Sequence, residues 1–345
     1  MNIKAGIIGC GSIARLRHAP EYKANPYVSD IVFYDRNIER AEALANQFGG
    51  SVAKTVEELL DDPSIKVISD CSSNESHHIF STKALLSGKH VLCEKPLALT
   101  VEHANKIIEA QSNSGKKLMV GHNQRLNRAH QMAKEILETN KLGDVLTFRT
   151  TFGHQGPEDW GVDKTNLTWF FQRERSGYGV AGDLGIHKID LLQYLLDDEI
   201  EHVNAMQGTL DKVDDEGNPI EVCDNVVCIL KTKKGRIGTA TFSWTYYGEE
   251  DNSTTIYCQN GILKIYNNPE YQMEVITKDG ERINYQLESM QTNANQLNSG
   301  VIDAFIDSVR LDQEPIVTGL DALSSLKVVL GIIEASETGN TVKIG

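Results

Sequence analysis

Asp183 and His187 stand four positions apart in "AGDLGIHKID" (181–190), which runs on into "LLQYLL". The segment is otherwise rich in Leu and Ile and reads as a helix, where positions i and i+4 share a face. A carboxylate and an imidazole so placed can handle a proton, since an unperturbed histidine titrates at about pH 6.5. The same pair fits two other arrangements. Asp183 suits a helix N-terminus, and His187 suits a hydrogen-bonded core histidine. Together they could also ligate a metal, but no further His, Cys or carboxylate cluster with ligand spacing completes such a site. The elements around the pair must decide between these arrangements.

The chain opens on "NIKAGIIGCGSIARLRHA", which reads as strand, tight turn and helix. Gly9, Gly11 and Ala14 fit G-x-G-x-x-[G/A]. The first glycine permits the turn, the second lets backbone approach a pyrophosphate, and the small third residue lets helix and strand pack closely. Ser12 and Ile13 open the helix, whose free N–H groups and roughly half a positive charge face the phosphates. A second apolar strand, "DIVFYD", ends at Asp35, about twenty residues past Ala14, where a carboxylate takes the adenosine ribose hydroxyls. That carboxylate repels a 2′-phosphate, so NAD is favoured. Arg36 follows directly and could pair with such a phosphate, which keeps NADP open.

Strand and helix patterns then alternate, with strands at "IKVISDCSS", "KHVLCEKP" and "KLMVGHN". The alternation predicts an α/β fold, a doubly wound parallel sheet of Rossmann type over residues 1–122. Ligands on such sheets bind beyond the carboxyl ends of the strands. Three of those ends are polar: "SSN" (72–74), "CEKP" (93–96) and "GHNQR" (121–125). Lys95, an ammonium before the rigid Pro96, is held where a nicotinamide would lie, although a solvated lysine before a strand-breaking proline reads the same way. Asn123 and Arg125, just past the last of these strands, are near enough to touch substrate or cofactor.

From 123 to 345 the pattern predicts an α+β domain with a large open mixed or antiparallel sheet, its hairpins turning at "KKGR" and "QNG". A polar loop over 154–180 leads into the Asp183–His187 segment and, with the region of Trp244–Tyr247, is the place for substrate selection. Trp160, Trp169 and Phe170 could stack on the apolar face of a ring-shaped ligand, or serve as the loop's own packing anchors. The helical stretches 295–310 and 319–339 read as structural.

Composition bounds the rest. A length of 345 residues implies two domains, and 40% hydrophobic with 24% charged residues is ordinary globular usage. A net charge of -14 argues against partnership with nucleic acid or anionic membranes. The six cysteines have no framework spacing, and Cys223 and Cys228, an odd number of residues apart on a strand, cannot share a metal. A reduced, cytoplasmic compartment follows. The N-terminus faintly resembles a signal peptide, but its apolar run is needed as the first strand, and no run reaches membrane-spanning length.

Taken together, these residues resemble the glucose–fructose oxidoreductase / inositol dehydrogenase family (Gfo/Idh/MocA), over essentially the whole chain. The family pattern is a glycine loop, then T-P-N-x-x-H, E-K-P and D-x-G-x-H-x-x-D. Here it stands as Gly9–Ala14, "SSNESH" (72–77), Glu94-Lys95-Pro96 and "DLGIHKID" (183–190). Ser72-Ser73 in place of Thr-Pro softens the turn beside the dinucleotide but keeps a hydroxyl and Asn74.

The resemblance implies hydride transfer between NAD and a secondary alcohol of a sugar, inositol or related polyol. It places Ser72, Ser73, Asn74, His77, Glu94 and Lys95 at the cofactor, with Glu94 at the nicotinamide ribose. His187 would accept the hydroxyl proton, Asp183 would orient it, and Lys95 would favour the developing alkoxide. Asp190 and Trp169 join Asn123 and Arg125 as substrate candidates, Asp190 being otherwise a solvated or capping charge. A homodimer or homotetramer through the free face of the second sheet is also implied. Two rivals use the same residues: an enzyme that keeps NAD bound as an internal redox relay, and a non-catalytic NAD-binding regulator.

Overall fold

The apolar run Ile3–Ile8 forms β1 and is buried on both faces, as a central parallel strand must be. The computed structural model of the chain describes residues 2–161, 164–287 and 298–345. Five more strands join β1: β2 (Val28–Tyr34), β3 (Ser51–Val52), β4 (Ile65–Asp70), β5 (His90–Cys93) and β6 (Leu118–Val120). All pair in parallel, in the order β3-β2-β1-β4-β5-β6. The order reverses between β1 and β4, so the crevice beyond their carboxyl ends is the natural ligand position.

Local chemistry sets the helices between these strands. Asn37, Thr55 and Thr100 cap the helices Ile38–Phe48, Val56–Asp61 and Val101–Ser114 through side-chain oxygens that accept backbone N–H groups. The third stops at Gly115, which adopts the left-handed conformation.

The first compact unit comprises this sheet up to Asn123 together with a later segment that ends at Leu323. A single break at 122/123 therefore does not describe the chain, because its helix Val301–Arg310 returns to the first unit. Buried polar contacts explain the return. The Glu21 carboxylate accepts the N–H groups of Ser299 (2.7 Å) and Ile302 (3.4 Å), which caps that helix. Asn25 donates to Asp303 (2.7 Å), and the Arg310 guanidinium lies over the Tyr27 ring at 3.9 Å. Residues 295–297 of the stretch expected to be helical lie outside the described residues.

The second unit is built on β7 (Val145–Gly153), β8 (Ile200–Gly208), β9 (Asn225–Thr232), β10 (Ile237–Ser243), β11 (Thr254–Cys258), β12 (Gly261–Ile265), β13 (Met273–Thr277), β14 (Arg282–Tyr285) and β15 (Val342–Lys343). Their order is β14-β13-β12-β11-β7-β10-β9-β8-β15. Only β7 and β10 pair in parallel; the rest are antiparallel, so the sheet is mixed. The hairpins turn at Lys233–Arg236 and Gln259–Asn260, as their turn residues predict.

One face of this sheet carries the helix Ile186–Leu196. Gly185 lets its first turn lie close, since a Cβ there would come within 2.8 Å of the Phe242 ring. The other face alternates outward with Met206, Val227, Ile229 and Ile237, all exposed.

Candidate active site

In the first unit the polar ends of the strands come together at the switch point. Gly9 has φ +90°, and a Cβ on it would lie 2.5 Å from the Cys71 carbonyl oxygen, so the turn after β1 can pass the end of β4 only with glycine. A Cβ on Gly11, by contrast, would meet nothing within 4 Å. Its backbone borders open space ahead of the helical residues Ser12–His18, which is the cradle a pyrophosphate requires. Asp35 follows β2, and its carboxylate accepts the N–H of Cys10 (2.7 Å) and of Asn37 (2.8 Å). It therefore braces the glycine turn. These groups fit NAD: N–H groups at the helix start for the phosphates and an accepting carboxylate for the ribose. Arg36 is exposed.

The turns after β4 and β5 are more tightly held than their spacing suggests. Asn74 is buried, while Ser72 and Ser73 are half-buried. Glu94 accepts from His18 Nε2 (2.8 Å) through Oε1 and from the Lys95 N–H (3.2 Å) through Oε2. Burial opposes a charge on Glu94, but the hydrogen bond and charge of His18 and the nearby Lys95 outweigh it and bring the carboxyl down to about 2. His18 is backed by Ser69 (2.9 Å), which also meets the Tyr22 hydroxyl (2.8 Å). Lys95 precedes a cis Pro96 and is half-buried. His77 is 1% exposed, with its ring nitrogens against the carbonyl oxygens of Pro96 and Ser72. Asn123 begins a short 3-10 turn after β6.

In the second unit, Asp183 lies in a π-helical turn, Ala181–Gly185, and His187 in the α-helix that continues it. The segment is thus helical throughout but wider at its start than a regular α-helix. Trp244, with no exposed surface, donates its indole N–H to Asp183 (3.1 Å). This residue, in a region expected to select substrate, instead holds the carboxylate. Phe171 packs against Trp244, with ring centroids 6.1 Å apart.

His187 is half-buried beside Phe152, centroid to centroid 6.1 Å. From there aromatic rings run outward along the loop: Phe152 to His154 (5.4 Å), His154 to Trp160 (6.5 Å), Trp160 to Phe170 (5.0 Å) and Phe170 stacked on Trp169 (3.9 Å). The loop aromatics pack on one another and form a continuous wall that ends at His187. Val162 and Asp163 of this loop lie outside the described residues.

Asp190 and Arg125 form a buried bidentate pair, Nε to Oδ2 at 2.8 Å and Nη2 to Oδ1 at 2.7 Å. The guanidinium also lies over the Tyr194 ring at 5.2 Å. The two substrate candidates are therefore each other's partner. Lys188, between His187 and the next turn, has no exposed surface and donates to the Asn252 carbonyl (2.9 Å) and the Thr254 hydroxyl (3.3 Å). Burial lowers its ammonium to about 7, against the opposing pull of Asp251 and Glu250. Nothing in "GIHKID" distinguishes this lysine from a solvated one. His18 likewise sits in "RLRHA" without a periodic signal. Among the described residues, no group of three or more His, Cys, Asp or Glu could hold a metal ion. No described helix is long and apolar enough to cross a membrane.

Residues 3–122 match the model of an oxidoreductase family with an NAD-binding Rossmann fold, and residues 130–264 match that of the GFO/IDH/MocA C-terminal domain. The chain belongs to the Gfo/Idh/MocA family and is an NAD-binding oxidoreductase. The levoglucosan dehydrogenase of Pseudarthrobacter phenanthrenivorans is 28% identical over 73% of this chain and 70% of that protein. The myo-inositol 2-dehydrogenase of Thermotoga maritima is 25% identical over 99% of this chain and 98% of its own length. A solved structure of levoglucosan dehydrogenase in complex with NADH superposes with a TM-score of 0.89 at 23% identity, covering all of both chains. That last likeness is one of fold.

Proposed function

We propose that this enzyme transfers a hydride between NAD and a secondary alcohol of a sugar, inositol or related polyol. The observation that carries the reading is the buried Asp183 carboxylate, held by Trp244, in the helical turn that precedes His187. Named relatives support the substrate class: a levoglucosan dehydrogenase, inositol 2-dehydrogenases and a 1,5-anhydro-D-fructose reductase. When bound, the nicotinamide supplies the hydride acceptor or donor. His187 takes the hydroxyl proton, and Asp183 orients the ring and stabilises its cation. Lys95 favours charge developing on the substrate oxygen. The aromatic wall that runs through Phe152 to His187 presents apolar surface to the C–H face of a ring substrate. The six cysteines, all buried and unpaired, support a reducing, cytoplasmic location.

The direct test is nicotinamide absorbance with purified protein, NAD or NADP, and a panel of inositols, aldoses, anhydrosugars and sugar alcohols. Turnover on any member supports the reading. A silent panel with NAD retained through purification would replace it with the internal redox relay.

Asp35 sets the cofactor preference by charge. Asp35→Asn keeps an acceptor for the Cys10 N–H but removes the repulsion against a 2′-phosphate. The ratio of kcat/KM for NADP to that for NAD is expected to rise at least about tenfold, equivalent to about 1.4 kcal/mol. An unchanged ratio would mean that the 2′ position is read elsewhere.

The free face of the nine-stranded sheet takes a second copy of the chain. Met206, Val227, Ile229 and Ile237 stand outward on adjacent strands, and Ile229 is 53% exposed. An apolar surface of this extent on an acidic protein is covered by a like surface more readily than by water. Ile229→Glu is expected to convert the oligomer to a monomer in light scattering coupled to size exclusion, through the cost of burying carboxylates at the contact. An oligomer of unaltered mass would place the interface elsewhere.

A further inference from the structure

His77 opens the helix His77–Leu86 just after the Ser72–Asn74 turn and has 1% of its surface exposed. Its Nδ1 is 2.7 Å from the Pro96 carbonyl oxygen, and its Nε2 is 3.1 Å from the Ser72 carbonyl oxygen. A carbonyl oxygen only accepts, so each contact needs an N–H. A neutral imidazole has one N–H and an imidazolium has two. The contacts therefore call for the charged ring, buried between two turns.

The surroundings supply a counter-charge. Asp70 at the end of β4 has no exposed surface and accepts from the Ser72 hydroxyl (2.6 Å), the Ser72 N–H (3.3 Å) and the Ser81 hydroxyl (2.8 Å). Three donated hydrogen bonds suit a carboxylate rather than a carboxylic acid. The other titratable neighbour is Cys93 on β5, whose thiol donates to the Glu94 carbonyl (3.3 Å) and is kept protonated by burial. Burial opposes the charge on His77, but with Cys93 as the thiol the Asp70 charge and the hydrogen bond to the Pro96 carbonyl still favour it, and the ring is raised above the ordinary histidine value.

We propose that His77 is a positioning residue, a permanently protonated clasp that ties the Ser72–Asn74 turn to the Glu94–Pro96 turn and so fixes the backbone at Lys95. One ring holds the last residue of the second turn and the first residue of the other. His18 holds Glu94 at the start of the second turn. Lys95 is thus bracketed by two histidines from different helices. The consequence for catalysis rests on the reading of Lys95 given above; the charge state of His77 does not.

The first measurement is NMR of full-length protein labelled with 15N-histidine, with His77 assigned by its loss in His77→Gln. Both ring nitrogens of His77 are expected to carry a proton at neutral pH and to keep it past the ordinary histidine value of about 6.5. A single-proton ring at neutral pH would overturn the proposal, whatever the activity of the enzyme.

The second measurement is turnover by His77→Gly, expected to fall about 100-fold, as misplaced groups cost. Added imidazole, which offers two N–H groups when protonated, is expected to restore turnover, whereas 1-methylimidazole, which offers one, is not. Equal rescue by both would reduce His77 to filled volume and end the proposal. A wild-type enzyme silent on every alcohol would defeat the dehydrogenase reading and leave the NMR result standing.

Discussion

His187→Ala is expected to lower kcat by about two to four orders of magnitude, the span that general bases supply. The dissociation constant for NAD should change little, because the residues proposed to hold it, Gly11 to Ile13 for the phosphates and the accepting carboxylate of Asp35 for the ribose, belong to the first unit. Asp183→Asn should lose a smaller but large share of the rate, since it keeps the Trp244 contact and gives up the charge that steadies an imidazolium. Groups that act as a unit are not additive, so the double variant should be scarcely slower than His187→Ala alone. Additive losses would show that the two residues act separately. Unchanged turnover in His187→Ala would return it to a core histidine.

Asp190→Ala is expected to destabilise the protein by about 3–5 kcal/mol, the usual result of removing one member of a buried ion pair. The cause is geometric: the Arg125 guanidinium loses its bidentate carboxylate while it stays buried over Tyr194. Arg125→Leu with Asp190→Leu should recover much of the loss, because no uncompensated charge remains in the interior. Denaturant melts of the three proteins measure this. KM for the alcohol, tested on the fraction that stays folded, is expected to move less than stability does. A large rise in KM with an unaltered melt would instead make Asp190 a substrate ligand.

Much of the first unit was legible in the sequence because its signals are local. A glycine pattern between strand and helix, an acidic residue at the end of the next strand and a two-state alternation of periods each lie within a few dozen residues. They specify turn, ribose contact and parallel sheet without reference to anything distant. The hairpins of the second sheet were legible in the same way, from its alternation and its "KKGR" and "QNG" turns, but the parallel pairing of β7 with β10 that makes it mixed was not. The return of Val301–Arg310 to the first unit was not. It depends on Glu21 and Asn25 meeting residues 278 or more positions later, and a helix pattern carries no address.

The same division runs through the candidate site. Residue types and short spacing pick out Asp35, Lys95, Asp183 and His187, because the chemistry each could do is a property of the side chain and its immediate turn. What those side chains touch was decided by folding. Glu94 meets His18 across 76 positions, Asp183 meets Trp244 across 61 and Asp190 meets Arg125 across 65. A carboxylate reads the same in a sequence whether it faces a ligand, an indole or a guanidinium. Burial makes the difference, since a charge taken out of water must find its partner in three dimensions, and no periodicity along the chain records which partner that is.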